Sequence, residues 1–315
     1  MKKIPVVAVV GPTASGKSDL AVEICLRYSG EAVSADSMQI YKGMDIASAK
    51  PTESEKKGVP HHMLDFLPDS ESFSVAEYQR MAAEVITDIH SRCRLPVVVG
   101  GTGLYTDTLL KNIRLTDDSV DTELREKLKE RAENEGMDRM LEELAEIDPV
   151  YAEKMHPNNA KRILRALELW YSSGTTMTQQ LENSHAESPY NVCWIGLDAT
   201  DRQFLYDRIN RRVDIMIQNG LEKEAREYLA RTDTATSSQA IGCKELKPYF
   251  DGKTSFENAV ENLKQSTRRY AKRQLTWFRR NECINWLFID KYEEKESLLI
   301  EAFEITDNFL KGAMG

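Results

Sequence analysis

A glycine-rich loop lies near the N-terminus, directly after an apolar run at residues 4–10 and directly before a helical pattern. Glycines allow successive backbone N–H groups to turn towards one anion, and the N-terminus of the following helix adds a partial positive charge. The loop ends in a lysine that can reach outer phosphate oxygens and a serine that can offer its hydroxyl to Mg²⁺ or to a phosphate. This order of residues predicts a site for a diphosphate or a triphosphate. The loop comprises Gly11, Pro12, Thr13, Ala14, Ser15, Gly16, Lys17 and Ser18.

Strand-like and helical patterns alternate along most of the chain. Runs rich in β-branched and apolar residues occur at 4–10, 31–35, 96–100, 191–197 and 284–289. Strands separated by helices are typical of a parallel sheet with crossover helices. We therefore predict an α/β fold, a P-loop NTPase-like parallel sheet flanked by helices.

One long segment breaks this alternation. Between residues 117 and 188 the strand patterns are absent, and charged helices with regularly spaced leucines take their place. The strand pattern returns directly afterwards. We predict an all-helical insertion domain at 117–188 and an α/β core formed by 1–116 and 189–315.

The net charge of −9 argues against a nucleic-acid partner, but the charge is unevenly distributed. Residues 117–190 carry 17 acidic and 9 basic side chains, so the rest of the chain is close to neutral. The segment 260–280 has one acid, Glu261, and a helical wheel places its seven bases on roughly one half. This basic helix favours an anionic partner, with pairing to the acidic insertion as the alternative. Its bases are Lys264, Arg268, Arg269, Lys272, Arg273, Arg279 and Arg280.

The cysteines, histidines and apolar runs argue against several classes of protein. Five cysteines without a CxxC pair favour reduced, mostly buried thiols over a disulfide framework or a zinc site. The adjacent His61 and His62 are expected to anchor a loop, because further metal ligands at workable spacing are absent from the sequence. No run approaches the roughly 18 apolar residues of a membrane span. We expect a cytoplasmic protein with no membrane partner.

Candidate reactive residues follow three of the predicted strands. Asp36 comes just after the second strand, where it could accept a proton from an acceptor or help to hold a metal. The Gly-Gly-Thr-Gly segment at 100–103 could let a ligand approach the backbone, or be a plain turn, and Thr102 could hydrogen-bond a base or a phosphate. No Asp ends this strand, which argues against an ordinary NTPase motor. Arg208 could clamp a diphosphate if the strand before it borders the glycine-rich loop.

These residues together resemble the bacterial tRNA dimethylallyltransferase family. The similarity runs through nearly the whole chain in the family's order, and its later motifs are far more specific than the phosphate loop. The matching segments are GPTASGKS at 11–18, DSMQIY at 36–41, PHHMLD at 60–65, GGTGLY at 100–105, KRILRALE at 161–168, QAIGCKE at 239–245 and KRQLTWFRR at 272–280.

The resemblance implies that a dimethylallyl group passes from dimethylallyl diphosphate to N6 of the adenosine just 3′ of the anticodon. Asp36 would take the N6 proton, and Lys17, Ser18 and Arg208 would stabilise the departing diphosphate with Mg²⁺, Ser18 being the metal contact. The helical insertion would embrace the anticodon stem-loop of the tRNA, and no obligatory protein partner is expected. The implied tRNA contacts are Asp36, Ser37, Met38, Gln39, Thr102, Arg125, Lys161, Arg162, Ile163, Leu164, Arg165, Gln239, Ala240, Ile241, Gly242, Cys243, Lys244, Lys272, Arg273, Gln274, Trp277 and Arg279.

One position departs from the family, and two other functions compete with the implied one. Residue 243 is Cys where the family usually has Tyr, so a role for this side chain is in doubt. A small-molecule or nucleotide kinase could use Asp36 to activate a hydroxyl. A kinase function does not, however, explain the basic helix or the acidic insertion. A non-catalytic RNA-binding module leaves the complete phosphate loop unexplained.

Overall fold

A computed structural model of the chain describes residues 3–113, 122–184, 186–232 and 240–314. These residues form two compact units, Met1–Leu110 with Ser188–Gly315, and Lys111–Glu187. The fold class predicted from the sequence, a helix-flanked parallel sheet with a helical insertion, is confirmed. None of the described helices is long and apolar enough to span a membrane.

The strands and helices are numbered in chain order. The strands are β1 Ile4–Val10, β2 Glu31–Ser34, β3 His61–His62, β4 Pro96–Gly100, β5 Tyr190–Asp198 and β6 Asn285–Phe288. The helices are α1 Lys17–Tyr28, α2 Glu53–Lys56, α3 Val75–Ser91, α4 Gly103–Leu110, α5 Thr122–Glu135, α6 Met137–Ile147, α7 Pro149–Ala152, α8 Ala160–Ser173, α9 Met177–Asn183, α10 Arg202–Gln218, α11 Leu221–Thr232, α12 Cys243–Phe250, α13 Phe256–Phe278 and α14 Lys295–Met314. Short 3₁₀ helices occupy Pro157–Asn159 and Ile289–Lys291.

The first unit is built on one six-stranded sheet in the order β3-β2-β4-β1-β5-β6. Every neighbouring pair is parallel, and β1 is hydrogen-bonded to β4 on one side and to β5 on the other. Val6–Val10 are fully buried. A strand that is buried on both faces has apolar residues at successive positions, which explains why β1 is apolar throughout.

Apolar clusters cover both faces of this sheet. Residues of α3 and α4 pack on one face, and residues of α1 and α14 pack on the other. A third cluster joins α10, α11, α12 and α13 within the same unit. The described part of the second unit, residues 122–184, has its own core around Leu128, Met140, Leu144, Ile163 and Leu167.

His61 and His62 form the short edge strand β3. His62 Nε2 lies 2.7 Å from Glu31 Oε2, and the Arg92 guanidinium donates two hydrogen bonds to the same carboxylate. These contacts, with Arg92 contributing most, lower the pKa of the buried Glu31 to about 2. His62 therefore lies in an ion-pair network at the start of β2.

Candidate active site

Four loops meet at one edge of the sheet because the strands that precede them are parallel neighbours. The strand order β2-β4-β1-β5 brings together the loops that begin after Ser34, Gly100, Val10 and Asp198. The carboxyl ends of strands in an open parallel sheet line the ligand crevice. The loops predicted from the sequence to bind phosphate and acceptor are thus adjacent.

The phosphate loop turns between β1 and α1 through residues with positive φ. Ala14 has φ 63° and Gly16, the N-cap of α1, has φ 94°. A Cβ on Gly11 would lie 2.7 Å from the Leu197 carbonyl oxygen, so the loop packs directly on β5. Ser15 Oγ is buried and has no hydrogen-bond partner within the described part of the chain. The loop therefore has the backbone turn of an anion site and a buried hydroxyl that is free to donate to an anion.

Lys17 is a partly dehydrated cation in this loop. Its Nζ donates a long hydrogen bond of 3.3 Å to the Pro12 carbonyl oxygen. Burial, and to a smaller extent the Arg212 charge, lower the pKa of Lys17 to about 8, and the Asp36 carboxylate opposes both effects. A bound diphosphate would supply the negative charge that the free site lacks.

Two arginines of α10 face the phosphate loop. The sequence predicts that Arg208 can reach a diphosphate if β5 borders β1, and the two strands are paired. The Arg208 Nε–H donates to the Ala14 carbonyl oxygen at 2.8 Å. Arg212 lies one turn later and interacts electrostatically with Lys17 and Asp36, and burial lowers its pKa. The sequence analysis missed Arg212. Its spacing of four from Arg208 was the available signal, because residues i and i+4 share a helix face.

Asp36 lies in the turn that follows β2. Its Oδ1 accepts hydrogen bonds from the backbone N–H groups of Met38 at 2.9 Å and Gln39 at 3.4 Å. Thr102 Oγ1 accepts from the Ser37 backbone N–H at 3.2 Å and so ties this turn to the loop after β4. The carboxylate is fixed by its own turn, on the loop that faces Lys17.

The glycines at 100–103 are required for packing. A Cβ on Gly100 would lie 2.2 Å from the Ala35 carbonyl oxygen, and one on Gly101 would lie 2.1 Å from Gln274 Nε2. A Cβ on Gly103 would lie 2.2 Å from Trp277 Cδ1. Protein atoms fill each of these positions, so the possibility that the glycines open the backbone to a ligand does not match the geometry.

Helix α13 packs on both loops. Gln274 is buried, and it accepts from the Thr13 backbone N–H and donates to the Gly101 carbonyl oxygen, each at 2.9 Å. The Trp277 indole N–H donates to Asp107 Oδ2 at 2.9 Å. These side chains were predicted to contact tRNA. Because the Gln274 amide is buried and makes two hydrogen bonds inside the protein, we expect it to act through the two loops.

The basic helix divides into paired and unpaired cations. Three lie in ion pairs: Lys264 with Asp214 at 2.6 Å, Arg268 with Glu261 at 3.0 Å and Arg279 with Asp198 at 2.7 Å. Four others are exposed, and within the described residues no carboxylate lies in ion-pair distance of them. These unpaired cations are Arg269, Lys272, Arg273 and Arg280.

The remaining predicted tRNA contacts differ in exposure. Lys161, Arg162 and Lys244 are exposed. Arg125 donates to the buried Glu168 carboxylate at 2.9 Å, and Arg165 lies 3.3 Å from the same group. Gln39 uses its amide on the Ser48 and Ala49 carbonyl oxygens. Gln239 lies outside the described residues.

Three predicted contacts need correction. The side chains of Ile163, Ala240 and Cys243 are buried in apolar clusters, so they cannot reach RNA. Burial raises the pKa of the Cys243 thiol to about 12, which makes it an unreactive core residue. These errors share one cause. The resemblance was applied to whole segments, whereas only one face of each segment is exposed.

These features define a P-loop enzyme in which the phosphate site faces a carboxylate and an exposed cationic helix lies beside both. The IPP transferase family model matches residues 39–281, which is more than half of the chain. The chain belongs to the IPP transferase family.

Individual relatives span nearly the whole chain. The tRNA dimethylallyltransferase of Caldanaerobacter subterraneus subsp. tengcongensis is 46% identical over 312 residues, 98% of this chain and 99% of the relative. That of Bacillus subtilis is 48% identical over 285 residues, 90% of each.

Solved structures are similar over the same range. The tRNA isopentenylpyrophosphate transferase of Bacillus halodurans is 42% identical, with a TM-score of 0.75 over 100% of this chain and 98% of that one. A eukaryotic dimethylallyltransferase acting on tRNA is 29% identical, with a TM-score of 0.82 over 98% of this chain and 80% of that one.

The lowered pKa of Lys17 predicts a pH dependence of donor binding. The free protein loses the Lys17 charge as pH rises through about 8, while the phosphates of dimethylallyl diphosphate are already ionised. Donor affinity should therefore fall by up to about tenfold per pH unit above that point, because binding takes up a proton. Calorimetry from pH 7 to 10 measures this.

Lys17→Arg is the matched control, since an arginine stays charged throughout this range. Its donor affinity should show no step near pH 8. Lys17→Ala should lower turnover by at least about a hundredfold. A wild-type affinity that is flat across the whole range would contradict the assignment of Lys17 to the diphosphate.

Proposed function

We propose that this chain transfers the dimethylallyl group of dimethylallyl diphosphate to N6 of the adenosine 3′-adjacent to the anticodon of tRNA, and releases diphosphate. One observation carries the proposal: Lys17 and Asp36 lie at the same edge of the sheet, on loops whose strands are separated only by β4, and they influence each other electrostatically. The leaving group's site thus faces a base. The family and the names of the relatives support tRNA and a prenyl donor as the substrates, and they do not favour a kinase.

The phosphate loop and α10 supply the charge that the donor needs. An allylic carbon–oxygen bond breaks readily when the charge on the departing diphosphate is neutralised. Lys17, Arg208 and Arg212 converge on this site, and two of these side chains have pKa values lowered by burial. Dehydrated cations bind an anion more strongly than solvated ones, because less water is displaced on binding.

Mg²⁺ fits the donors of this site. Ser18 lies half-buried in the first turn of α1, and no cluster of three or more His, Cys, Asp or Glu side chains suited to a metal occurs in the described residues. Mg²⁺ is usually held by substrate phosphates, waters and one or two protein oxygens, so a dedicated cluster is not required. Ser18 would hold the ion, which would neutralise charge on the diphosphate.

Asp36 completes the reaction on the acceptor side. The N6 nitrogen forms a bond to the allylic carbon while the carbon–oxygen bond to diphosphate breaks, and the N6 proton passes to the Asp36 carboxylate. Its Oδ1 is held by backbone N–H groups, so the carboxylate is fixed before the acceptor arrives. The adenine must leave its stack to reach this position, which favours a loop nucleotide over a paired one.

The tRNA is proposed to lie along the unpaired cations of α13. Lys272 and Arg273 are exposed there, and α13 packs directly on both reactive loops. In the second unit, the exposed Lys161 and Arg162 would contact the anticodon stem-loop. We place the reaction in the cytoplasm, where its tRNA substrates are found.

Asp36→Asn separates donor binding from transfer. The amide keeps the size of the side chain but cannot take the N6 proton. We expect the affinity for dimethylallyl diphosphate to stay within about threefold, while single-turnover transfer falls by about 10² to 10⁴, the contribution of a general base. Asp251→Asn, an exposed carboxylate between α12 and α13, is the matched control and should leave both unchanged. Loss of donor binding in Asp36→Asn would instead place this carboxylate on the phosphate or metal side.

The salt dependence of tRNA binding tests the cationic face of α13. Each neutralised phosphate releases counterions, so the logarithm of affinity falls with the logarithm of salt by about 0.7 to 0.9 per contact. The double variant Lys272→Ala, Arg273→Ala should flatten this slope by about one to two units, with donor affinity nearly unchanged. Filter binding at several salt concentrations measures it.

Lys264→Ala is the control on the same helix, because its ammonium already pairs with Asp214 at 2.6 Å. It should leave the slope as in wild type. An unchanged slope in the double variant would remove this face of α13 from the RNA-binding surface.

A further inference from the structure

One buried side chain joins the two halves of the site. Gln274 is 5% exposed, and its amide makes two hydrogen bonds of 2.9 Å, one from the Thr13 N–H and one to the Gly101 carbonyl oxygen. Both distances are ideal for N–H···O bonds. Thr13 follows β1 and Gly101 follows β4, so the amide connects loops that the backbone does not join directly.

These two loops carry the donor and acceptor functions. Thr13 belongs to the phosphate loop. The residue after Gly101 is Thr102, whose Oγ1 accepts from the backbone N–H of Ser37, next to Asp36. The hydrogen bonds of Gln274 and Thr102, joined by the Gly101–Thr102 peptide, therefore connect the phosphate loop to the turn that holds the carboxylate.

The contact between α13 and these loops leaves no free space. A Cβ on Gly101 would lie 2.1 Å from Gln274 Nε2, and one on Gly103 would lie 2.2 Å from Trp277 Cδ1. The helix therefore lies directly against the loop backbone. Removing the amide would leave a backbone donor and a backbone acceptor unpaired, and the two loops would be free to shift relative to each other.

The opposite face of the same helical turn carries the cations assigned to RNA. Lys272 and Arg273 directly precede Gln274 in sequence and point to solvent. We propose that Gln274 is a positioning residue: it holds the phosphate loop and the Asp36 turn in register, so that the helix that binds tRNA also aligns the donor with the acceptor. This inference rests on the proposed function, because it requires both substrates to meet at these loops.

Alignment of this kind affects the rate of reaction more than binding. Without the two hydrogen bonds of Gln274, each substrate can still bind to its own loop. The reacting atoms, however, are no longer held at the distance that the reaction requires. A misplacement of about 1 Å can cost about a hundredfold in rate. Loss of Gln274 should thus appear in kcat, with little change in the affinity for either substrate.

Gln274→Met tests this with a side chain of similar length that makes neither hydrogen bond. We expect single-turnover transfer to fall by about 30- to 100-fold, with dissociation constants for dimethylallyl diphosphate and for tRNA within about threefold of wild type. Gln265→Met makes the same chemical change at an exposed position of α13 and should change none of these values. A rate loss explained entirely by weaker donor binding would overturn the proposal, as would a normal rate.

Gln274→Glu should make the transfer rate depend on pH in a way that general destabilisation of the protein would not. The neutral carboxyl can accept from Thr13 and donate to Gly101, whereas the ionised form cannot donate and places an anion against a carbonyl oxygen. Its rate relative to wild type should therefore rise at least about fivefold as pH falls from 8 to 6, since burial raises the pKa of a carboxyl. Melting temperatures at each pH identify the range in which the variant is folded.

If the rate of Gln274→Glu relative to wild type does not change with pH while the variant is folded, the proposal is wrong. This comparison tests the proposal even if Gln274→Met does not fold. Failure of the proposed function has a different signature. Wild-type protein would then transfer no group from dimethylallyl diphosphate to tRNA, whichever residue occupies position 274, and the inference would fall with it.

Discussion

The parallel pairing of β1 with β4 and β5 is the constraint on which the site depends. It places the carboxyl ends of these strands, and of β2 beyond β4, at one edge of the sheet. The phosphate loop, the Asp36 turn, the 100–103 loop and the start of α10 all follow from that arrangement. Val6–Val10 hold β1 in the centre, because only a strand that is apolar on both faces can be buried there.

The electrostatics of this edge favour an anion. Lys17, Arg208 and Arg212 converge on the phosphate loop, and Asp36 is the carboxylate that acts on both Lys17 and Arg212. Burying cations without full compensation costs free energy in the free protein, and a diphosphate would offset that cost when it binds. The carboxylate that raises the pKa of Lys17 is also the proposed base for the acceptor, so the same group would influence both substrates.

The sequence predicted the parts of the site that local patterns specify. The phosphate loop and Asp36 could be placed because each follows a recognisable strand, and Arg208 could be placed on the condition that β5 borders β1, which it does. The strand β3 was not predicted, because two residues are too short to show an alternating pattern. The buried state of Ile163 was also missed, because a matching segment does not indicate which face of it is exposed.

Other parts of the site depend on contacts between distant residues, which no local pattern reveals. Gln274 is 261 positions from Thr13, and its role becomes visible only once α13 lies against both loops. The glycines at 100–103 could be read either as a ligand approach or as a turn, and the structure shows protein atoms at their Cβ positions. The roles of these residues in the reaction stay predictions, whereas their positions are now defined.

The central claim, that the phosphate loop holds a prenyl donor for a tRNA acceptor, is tested most directly by supplying two labelled compounds separately with bulk tRNA. One is dimethylallyl diphosphate labelled in its five-carbon group, and the other is ATP labelled in its γ-phosphate. The amount of label recovered in tRNA and in other products is measured for each compound. The account predicts label in tRNA from dimethylallyl diphosphate and no phosphoryl transfer from ATP. Transfer of the γ-phosphate to an acceptor, with no prenyl label in tRNA, would contradict it.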